Sequence, residues 1–412
     1  MMAQGLLRSR RGSEAEVTNL ELFFDLVYVF AITQISEFVR EHLSLFGVFE
    51  AALLFLAVWW AWMFTAWATN WANPDTVRVR LMLVVAMLAS LVLAAVLPHA
   101  FGGTEYALVF AATYCAIQIG RTLFLVYIMA IDRPDGARNM TRVVLWFIAA
   151  TPLWLAGALA ADPVWHAALW AGALGIEYSG PFAFFRVPGL GRSTTDDWDI
   201  SGGHMAERAS QFVLIAMGEG IVVTGAAFAH ATPTPVGTYA FIASFGGSVL
   251  MWWIYFDVGA ERGADHITHS DDVGRIARNA YTYLHIPIVA SVVAGAVADA
   301  LLMAAPDAVA SHALIIAGGG GLVGFLLSLA LFKRYSSPLG NMPLSHGIGQ
   351  LLLIPVILGA WFGHWSAPLF AALCDGALFV VALWEWGSFH GGWQERLAAL
   401  GIRITTNAPR NE

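Results

Sequence analysis

Residues 81–98 read LMLVVAMLASLVLAAVLP, a run with no charged side chain, and similar runs recur along the whole 412-residue chain. An apolar run of this length is long enough to cross the hydrocarbon core of a bilayer as a helix. The composition agrees, because 58% of the residues are hydrophobic and only 12% are charged, against about 25% charged in a typical soluble domain. The sequence therefore predicts an all-α integral membrane protein and excludes a disordered chain or a large soluble α/β enzyme.

Charge and cysteine content exclude further classes of protein. The formal net charge of −8 argues against nucleic-acid binding, which requires basic surfaces. Cys115 and Cys374 both lie inside apolar runs, so we expect neither a disulfide framework nor a cysteine-ligated metal. We expect no metal or cofactor, and the expected partners are the lipid bilayer, a small cation or solute and, in a homo-oligomer, further copies of the chain.

Apolar runs separated by charged, Pro-rich or Gly-rich connections predict twelve membrane spans. They are 20–39, 45–68, 79–98, 106–130, 143–161, 164–185, 204–229, 236–258, 276–303, 310–332, 343–363 and 366–387. With this count, 18 of the 21 Lys and Arg residues fall on one side of the membrane, the exceptions being Arg40, Arg121 and Arg208. Because cytoplasmic connections carry the excess of basic residues, we expect both termini to be cytoplasmic.

Short motifs recur in the same order in the two halves of the chain. Residues 21–28 resemble residues 207–214, and Trp59-Trp60 resembles Trp252-Trp253. An even number of spans per half gives both halves the same orientation, so the sequence predicts two parallel six-helix repeats, an arrangement that transporters use. The predicted units are a cytoplasmic segment 1–19, a first repeat 20–185, a cytoplasmic linker 186–203, a second repeat 204–390 and a cytoplasmic tail 391–412.

Two acidic residues lie near the start of the first span. Thr18-Asn-Leu-Glu21 matches a capping box, in which the threonine hydroxyl and the glutamate satisfy free backbone amides. Glu21 is therefore predicted to have a structural role. Asp25 lies one turn deeper on the same face, where repulsion between the two carboxylates calls for a nearby cation, proton or arginine. Because ionisable groups at membrane depth are costly and usually functional, Asp25 is a candidate site residue.

The seventh span carries a second group of candidates. His204, Glu207 and Arg208 share one helical face, either as an interfacial helix start with a local ion pair or as part of a site opposite Asp25. Glu219 lies about 16 Å deeper than Arg208 at 1.5 Å per residue, between glycines that allow close helix approach. A carboxylate at that depth is paired, protonated or in contact with water.

Four further residues are candidates at more ambiguous positions. Arg121 and Glu177 lie at similar depth in spans four and six, either as a structural ion pair or as part of a polar site. Asp257 ends span eight behind an aromatic belt, where an interfacial role is equally open. His285 precedes Pro287, which frees a backbone carbonyl near position 283 that the histidine or a water could satisfy; near carboxylates His285 could instead carry protons. Acidic residues nearer the outer face are secondary candidates: Glu50, Asp299 and Asp375.

At these residues the sequence resembles the low temperature requirement A (LtrA) family. The resemblance lies in residues 21–34 (ELFFDLVYVFAITQ), in HMAER at 204–208 continuing to IAMGE at 215–219, in WWIYFD at 252–257 and in YLH at 283–285. It implies a bacterial multi-pass protein of the inner membrane and no particular biochemical activity. Residues 23–33 are also similar in layout to the first helix of lysosomal potassium channels and their bacterial relatives, with Phe24 in place of a serine.

Three functions are compatible with these features. The first is translocation of a small cation or a proton-coupled solute through a polar site between the repeats, lined by Asp25, Glu219, His285 and the Arg121/Glu177 pair. The second is a membrane enzyme for a lipid or isoprenoid, with carboxylates holding a divalent metal and Arg208 contacting phosphate. The third is a non-catalytic factor that adjusts the membrane in the cold.

Overall fold

The computed structural model describes residues 5–8, 16–194, 197–270, 272–336 and 342–389. This part of the chain contains no β-strand and twelve long helices. In chain order they are α1 (Asn19–Glu41), α2 (Leu45–Trp71), α3 (Val77–Val96), α4 (Thr104–Met129), α5 (Pro134–Leu159), α6 (Pro163–Ser179), α7 (Gly202–His230), α8 (Pro235–Tyr255), α9 (Val273–Ala304), α10 (His312–Tyr335), α11 (Leu344–Gly363) and α12 (Ala367–Phe389). The described residues do not include the predicted tail 391–412. They also lack four charged residues elsewhere in the chain: Arg10, Arg11, Asp196 and Asp271.

Ten of these helices are long and apolar enough to cross a membrane, which confirms a multi-helix membrane protein. The other two, α6 and α8, coincide with the predicted sixth and eighth spans, so the count of twelve crossings stays a prediction. The largest boundary difference is in α5, which begins at Pro134 rather than at residue 143. Proline at the first helical position and Asp135 in the first turn favour this earlier start.

Local capping residues determine where several helices begin. The predicted capping box at Thr18 and Glu21 is confirmed, since each side chain satisfies a backbone amide of the other residue. Side chains of Ser44, Asp162 and Ser201 accept hydrogen bonds from the first turns of α2, α6 and α7. The sixth helix ends at Ser179, earlier than predicted, and is followed by a turn in which Phe184 and Phe185 have φ values of 51° and 43°.

Helix α2 forms the centre of the first half. Trp59, Trp60 and Trp62 on this helix are fully buried, and α2 packs against α1, α4, α6 and α7. In the second half, α9 packs against α7, α8 and α10, and α12 packs against α8 and α11. The two halves therefore meet mainly where α7 and α9 contact α1 and α2.

Helices α1 and α7 run parallel to each other. Three side-chain contacts join them, and the residues advance in the same order along both helices: Glu21 with His204, Asp25 with Arg208 and Thr33 with Glu219. Parallel packing brings the starts of both helices to the same side of the bundle. The polar residues that begin the two halves are therefore close together.

Candidate functional site

A buried cluster of charged residues joins the first turns of α1 and α7; we call Glu21, Asp25, His204 and Arg208 the α1–α7 cluster. His204 Nε2 lies 2.8 Å from Glu21 Oε1, and all four side chains are at most 1% exposed. Arg8, in the segment before α1, donates from Nη2 to Glu21 Oε2 at 2.8 Å. Glu21 thus has a cationic neighbour in addition to its capping role.

Asp25 has the arginine partner that its position called for. Arg208 Nη2 and Trp62 Nε1 both donate to Asp25 Oδ1 at 2.8 Å. Asp25 Oδ2 and the Nε and Nη1 atoms of Arg208 have no hydrogen-bond partner among the described residues. The pair therefore keeps hydrogen-bonding capacity that a polar ligand or water could use.

Asn70 on α2 fixes the orientation of His204. Asn70 Oδ1 accepts from the backbone amide of Ser201 at 2.8 Å, which fixes which side of the amide carries the Nδ2 donor. Nδ2 lies 3.2 Å from His204 Nδ1 and donates to it. The ring proton of a neutral His204 is then on Nε2, where it donates to Glu21. Trp62 and Asn70 complete the cluster and were not among the predicted site residues.

Glu207 and Asp257 lie outside this cluster. Glu207 is on the exposed side of α7, where its Oε1 accepts from Gln211 Nε2 at 3.2 Å. It lines an open groove of about 850 Å³ together with Glu16, Glu261 and Asp265. Asp257 is exposed in the helical turn that follows α8. The structure therefore does not bring Glu207 together with His204 and Arg208.

Glu219 lies deeper between α7 and α1, and its surroundings differ from those of Asp25. Glu219 is 1% exposed, and its Oε2 accepts from the Thr33 hydroxyl at 2.5 Å. Its Oε1 has no hydrogen-bond partner, and no ion pair joins Glu219 to a cationic side chain within the described part of the chain. The structure thus places Glu219 at the boundary between the halves, without a balancing charge.

Arg121 and Glu177 do not form the direct ion pair that was one interpretation of their depth. Arg121 Nη2 donates to Gln118 Oε1 at 2.6 Å, and Gln118 Nε2 donates to Tyr114 Oη at 3.0 Å. Tyr114 Oη in turn donates to Glu177 Oε2 at 2.5 Å, while Trp154 Nε1 donates to Oε1 at 2.8 Å. Neutral side chains therefore connect the two charges inside the first half, away from α7.

His285 is packed in an aromatic environment rather than beside carboxylates. Its Nε2 lies 2.8 Å from Tyr255 Oη and its Nδ1 lies 2.9 Å from the carbonyl oxygen of Ala280. Tyr281 stacks on the ring, and Phe332 meets it edge to face. The carbonyl that His285 satisfies is at position 280 and not near 283, because residues 277–283 form a π-helical turn. These contacts indicate a structural role.

Two other polar features were missed in the sequence. Lys333 Nζ on α10 lies 2.8 Å from Glu385 Oε2 on α12, and His346 Nδ1 on α11 lies 3.2 Å from Glu385 Oε1. Charged residues near the ends of apolar runs are common at membrane interfaces, so none of these three residues stood out. Gln118 was missed for a different reason, because an uncharged amide in an apolar run carries no obvious signal.

Comparison with known proteins identifies the family to which the chain belongs. The family model described as "Bacterial low temperature requirement A protein (LtrA)" matches residues 16–385. The chain belongs to the LtrA family. An uncharacterized protein of Rhizobium meliloti (strain 1021) is 36% identical to it over 383 residues, which cover 92% of this chain and 91% of the relative. No solved structure matches the chain.

The two sequence segments that most resemble the LtrA family contact each other in the structure. Residues 21–34 lie in α1, and residues 204–219 lie in α7. All three side-chain contacts between α1 and α7 described above fall within these segments. In this LtrA-family protein, the family-like segments thus form a seam between the halves, the α1–α7 interface, along which these three polar contacts lie.

Proposed function

We propose that this LtrA-family protein translocates a small cation or a proton-coupled solute across the bacterial inner membrane, with Glu219 as the central ionisable group. The proposal rests on one difference between Asp25 and Glu219, two buried carboxylates along the seam: only Asp25 has a cationic partner among the described residues. Asp25 has an arginine at 2.8 Å, whereas Glu219 has, among the described residues, one hydroxyl partner and a carboxylate oxygen without a hydrogen bond. A buried carboxylate without a cation takes up a proton or a cation more readily than one that is already paired.

The α1–α7 cluster supports the proposal by its position. Its four residues lie within about 9 Å of the starts of their helices, whereas Glu219 lies about 26 Å from the start of α7, at 1.5 Å per residue. We infer that the cluster closes the cytoplasmic side of the seam and that Glu219 is reached from the outer side. Both termini would then be cytoplasmic, as the distribution of basic residues predicts.

The parallel packing of α1 and α7 also supports the proposed two-repeat arrangement. These helices are the first of each predicted repeat, and repeats with an even number of spans must have the same orientation. The three contacts that advance together along α1 and α7 agree with that orientation. The proposed transport pathway follows the interface between these repeats.

The test is flux through the purified protein in proteoliposomes. Imposed Na⁺, K⁺ and pH gradients are followed with ion-sensitive dyes for the wild-type protein, for Glu219→Gln and for Glu105→Gln, a control at an exposed acidic residue in the first turn of α4. We expect at least a tenfold loss of flux in Glu219→Gln alone, with unchanged thermal stability. Wild-type flux no greater than in empty liposomes, or full flux in Glu219→Gln, would contradict the proposal. The first result would favour a non-catalytic membrane factor or a membrane enzyme, and the second would mean that transport does not proceed through Glu219.

One cavity favours the second candidate, a membrane enzyme for a lipid or isoprenoid. Aromatic side chains including Trp60, Phe64 and Trp198 line a cavity of about 40 Å³, with Arg275 and Arg278 also in its lining. Arginine next to an apolar pocket suits an amphiphile with a phosphate head group. The cavity holds only a few atoms, however, and Arg208, proposed for phosphate contact, is paired with Asp25.

This alternative has its own test. Binding of a short prenyl diphosphate is measured by quenching of tryptophan fluorescence, in the wild-type protein and in Arg278→Gln. Saturable quenching that Arg278→Gln abolishes would favour the enzyme, whereas equal quenching in both would exclude this cavity as the binding site. Arg138→Gln, which removes an exposed arginine of α5 outside the lining of this cavity, is the matched control.

A further inference from the structure

A second pair of acidic residues lies in the second half of the chain, away from the α1–α7 cluster. Asp299 on α9 and Asp375 on α12 line one cavity of about 60 Å³, and they are close enough to repel each other electrostatically. The described lining of this cavity contains no lysine, arginine or histidine. Two carboxyl groups therefore face a small space whose described lining has no basic side chain.

Glycines bring the backbones of two helices close to these carboxylates. A Cβ atom built on Gly247 of α8 would lie 2.9 Å from Asp375 Oδ1, and one built on Gly220 of α7 would lie 3.3 Å from Asp299 Oδ2. Both distances are tight for a carbon beside an oxygen, so a larger residue at either position would press on a carboxylate. The cavity depends on small residues around its two acids.

A buried hydroxyl in the same cavity lies beside Asp299 without a hydrogen bond of good geometry to a described residue. Ser244 of α8 is 4% exposed and lines the cavity. It faces Asp299, yet its Oγ completes no hydrogen bond to a described residue. Most of the remaining lining is apolar and includes Leu302 and Phe370. A hydroxyl without a hydrogen bond and two carboxyl groups thus line the same cavity. Side-chain oxygens are arranged in this way where they bind a ligand.

We propose that Asp299 and Asp375 bind one hard cation, an alkali or alkaline-earth ion, with Ser244 as a third oxygen ligand. Carboxylate and hydroxyl oxygens are the ligands that such ions prefer. Met251 and Cys374 also line the cavity, but the negative charge comes from the carboxylates and selects a hard ion. A water needs about 10–15 Å³, so the cavity has room for an ion that keeps some of its waters.

The position of the pair places this site toward the outer ends of its helices. Asp299 lies about 8 Å before the end of α9, and Asp375 lies about 12 Å after the start of α12, at 1.5 Å per residue. The site is separate from Glu219, although Gly220, the next residue of α7, is beside Asp299. The inference is therefore independent of the proposed transport through Glu219.

The test is thermal unfolding of the full-length protein in detergent, in the presence of NaCl, KCl or CaCl₂ and of choline chloride at equal ionic strength. An ion that binds only the folded protein raises Tm in a saturable way. We expect at least one of the three cations to raise the Tm of the wild-type protein by several degrees. The increase should be absent in Asp299→Asn and Asp375→Asn and retained in Asp307→Asn, which changes an exposed acid near the end of α9.

Two results would overturn the inference: no cation exceeds choline for the wild-type protein, or the increase persists in both asparagine variants. Because each asparagine removes repulsion, the variants should fold at least as well as the wild-type protein without the ion. If they nevertheless fail to fold, Ser244→Ala decides the question. That variant should need a several-fold higher concentration of the ion for half of the Tm increase, and an unchanged concentration would contradict the site. Flux is not measured, so this outcome is separate from that for Glu219.

Discussion

Asp25 on α1 and Arg208 on α7 form an ion pair in which Oδ1 and Nη2 are 2.8 Å apart and both side chains are buried. The pair joins the helices that begin the two halves of the chain. Its two charges lie in a region that excludes water, so each depends on the other for compensation. This pair therefore serves the contact between the halves, whereas Glu219 further along the same seam has no cationic partner among the described residues.

The first prediction concerns loss of one partner of this pair. Asp25→Asn keeps the size of the side chain but leaves the charge of Arg208 buried without compensation, which should lower the free energy of unfolding by about 3–5 kcal/mol. The measurement is the Tm of the purified protein in detergent. The double variant Asp25→Asn/Arg208→Gln removes both charges and should recover most of the loss. A double variant as unstable as Asp25→Asn would show that the two residues act separately.

The second prediction concerns the hydroxyl that contacts Glu219. Thr33→Val keeps the shape of the side chain but removes the donor to Glu219 Oε2, so the carboxylate loses its described partner and favours the protonated form. If transport proceeds through Glu219, we expect flux in proteoliposomes to change severalfold and its pH dependence to move to higher pH. Thr151→Val, which removes a hydroxyl that donates to the Phe147 carbonyl in the first half, is the control and should leave the profile unchanged.

The third prediction concerns two glycines on α11. A Cβ atom at Gly349 would lie 2.4 Å from Val381 Cγ2 on α12 and 2.7 Å from Leu326 Cδ1 on α10, whereas one at Gly347 would meet nothing within 4 Å. Gly349→Ala should therefore destabilise the protein by about 1–3 kcal/mol through overpacking. Gly347→Ala should be neutral or slightly stabilising, because alanine favours a helix. Equal Tm values for the two variants would contradict the packing of α10, α11 and α12.

The fourth prediction concerns topology. Both native cysteines are buried, so a cysteine introduced at an exposed loop position reports on that position alone. Thr232→Cys, between α7 and α8, should react with a membrane-impermeant maleimide in intact cells. Asp132→Cys, between α4 and α5, should react only after the cells are opened. The reverse pattern would place the termini outside, and labelling of both in intact cells would contradict the predicted number of crossings.

Much of the helical framework could be predicted because it depends on local signals. Apolar runs gave the approximate position of each long helix, and the capping box at Thr18 and Glu21 fixed the start of α1. Boundaries were wrong where backbone details intervene, as at Phe184 and Phe185, whose positive φ values follow the early end of α6. Nothing in a single sequence signals a positive φ at phenylalanine.

The candidate site was predictable in part, for a related reason. A charge in an apolar run is conspicuous, so Asp25, Arg208 and Glu219 could all be singled out. Their partners were not predictable, because pairing depends on which helices are neighbours. Arg121 contacts Gln118 rather than Glu177, and His285 contacts Tyr255 rather than a carboxylate. Neutral donors such as Asn70 become recognisable only when α2 is seen beside α7.

The spacing of charges along α1 and α7 has a mechanical consequence. Glu21 and Asp25 are four residues apart, and so are His204 and Arg208. If α1 slid along α7 by one turn, about 5.4 Å, either Glu21 would come opposite Arg208 or Asp25 would come opposite His204. In each shifted register one acidic residue of α1 still lies opposite one basic residue of α7. A displacement of half a turn places neither acidic residue opposite a basic one. If the two halves slide past each other, the spacing of these charges therefore favours displacements of whole helical turns over intermediate ones.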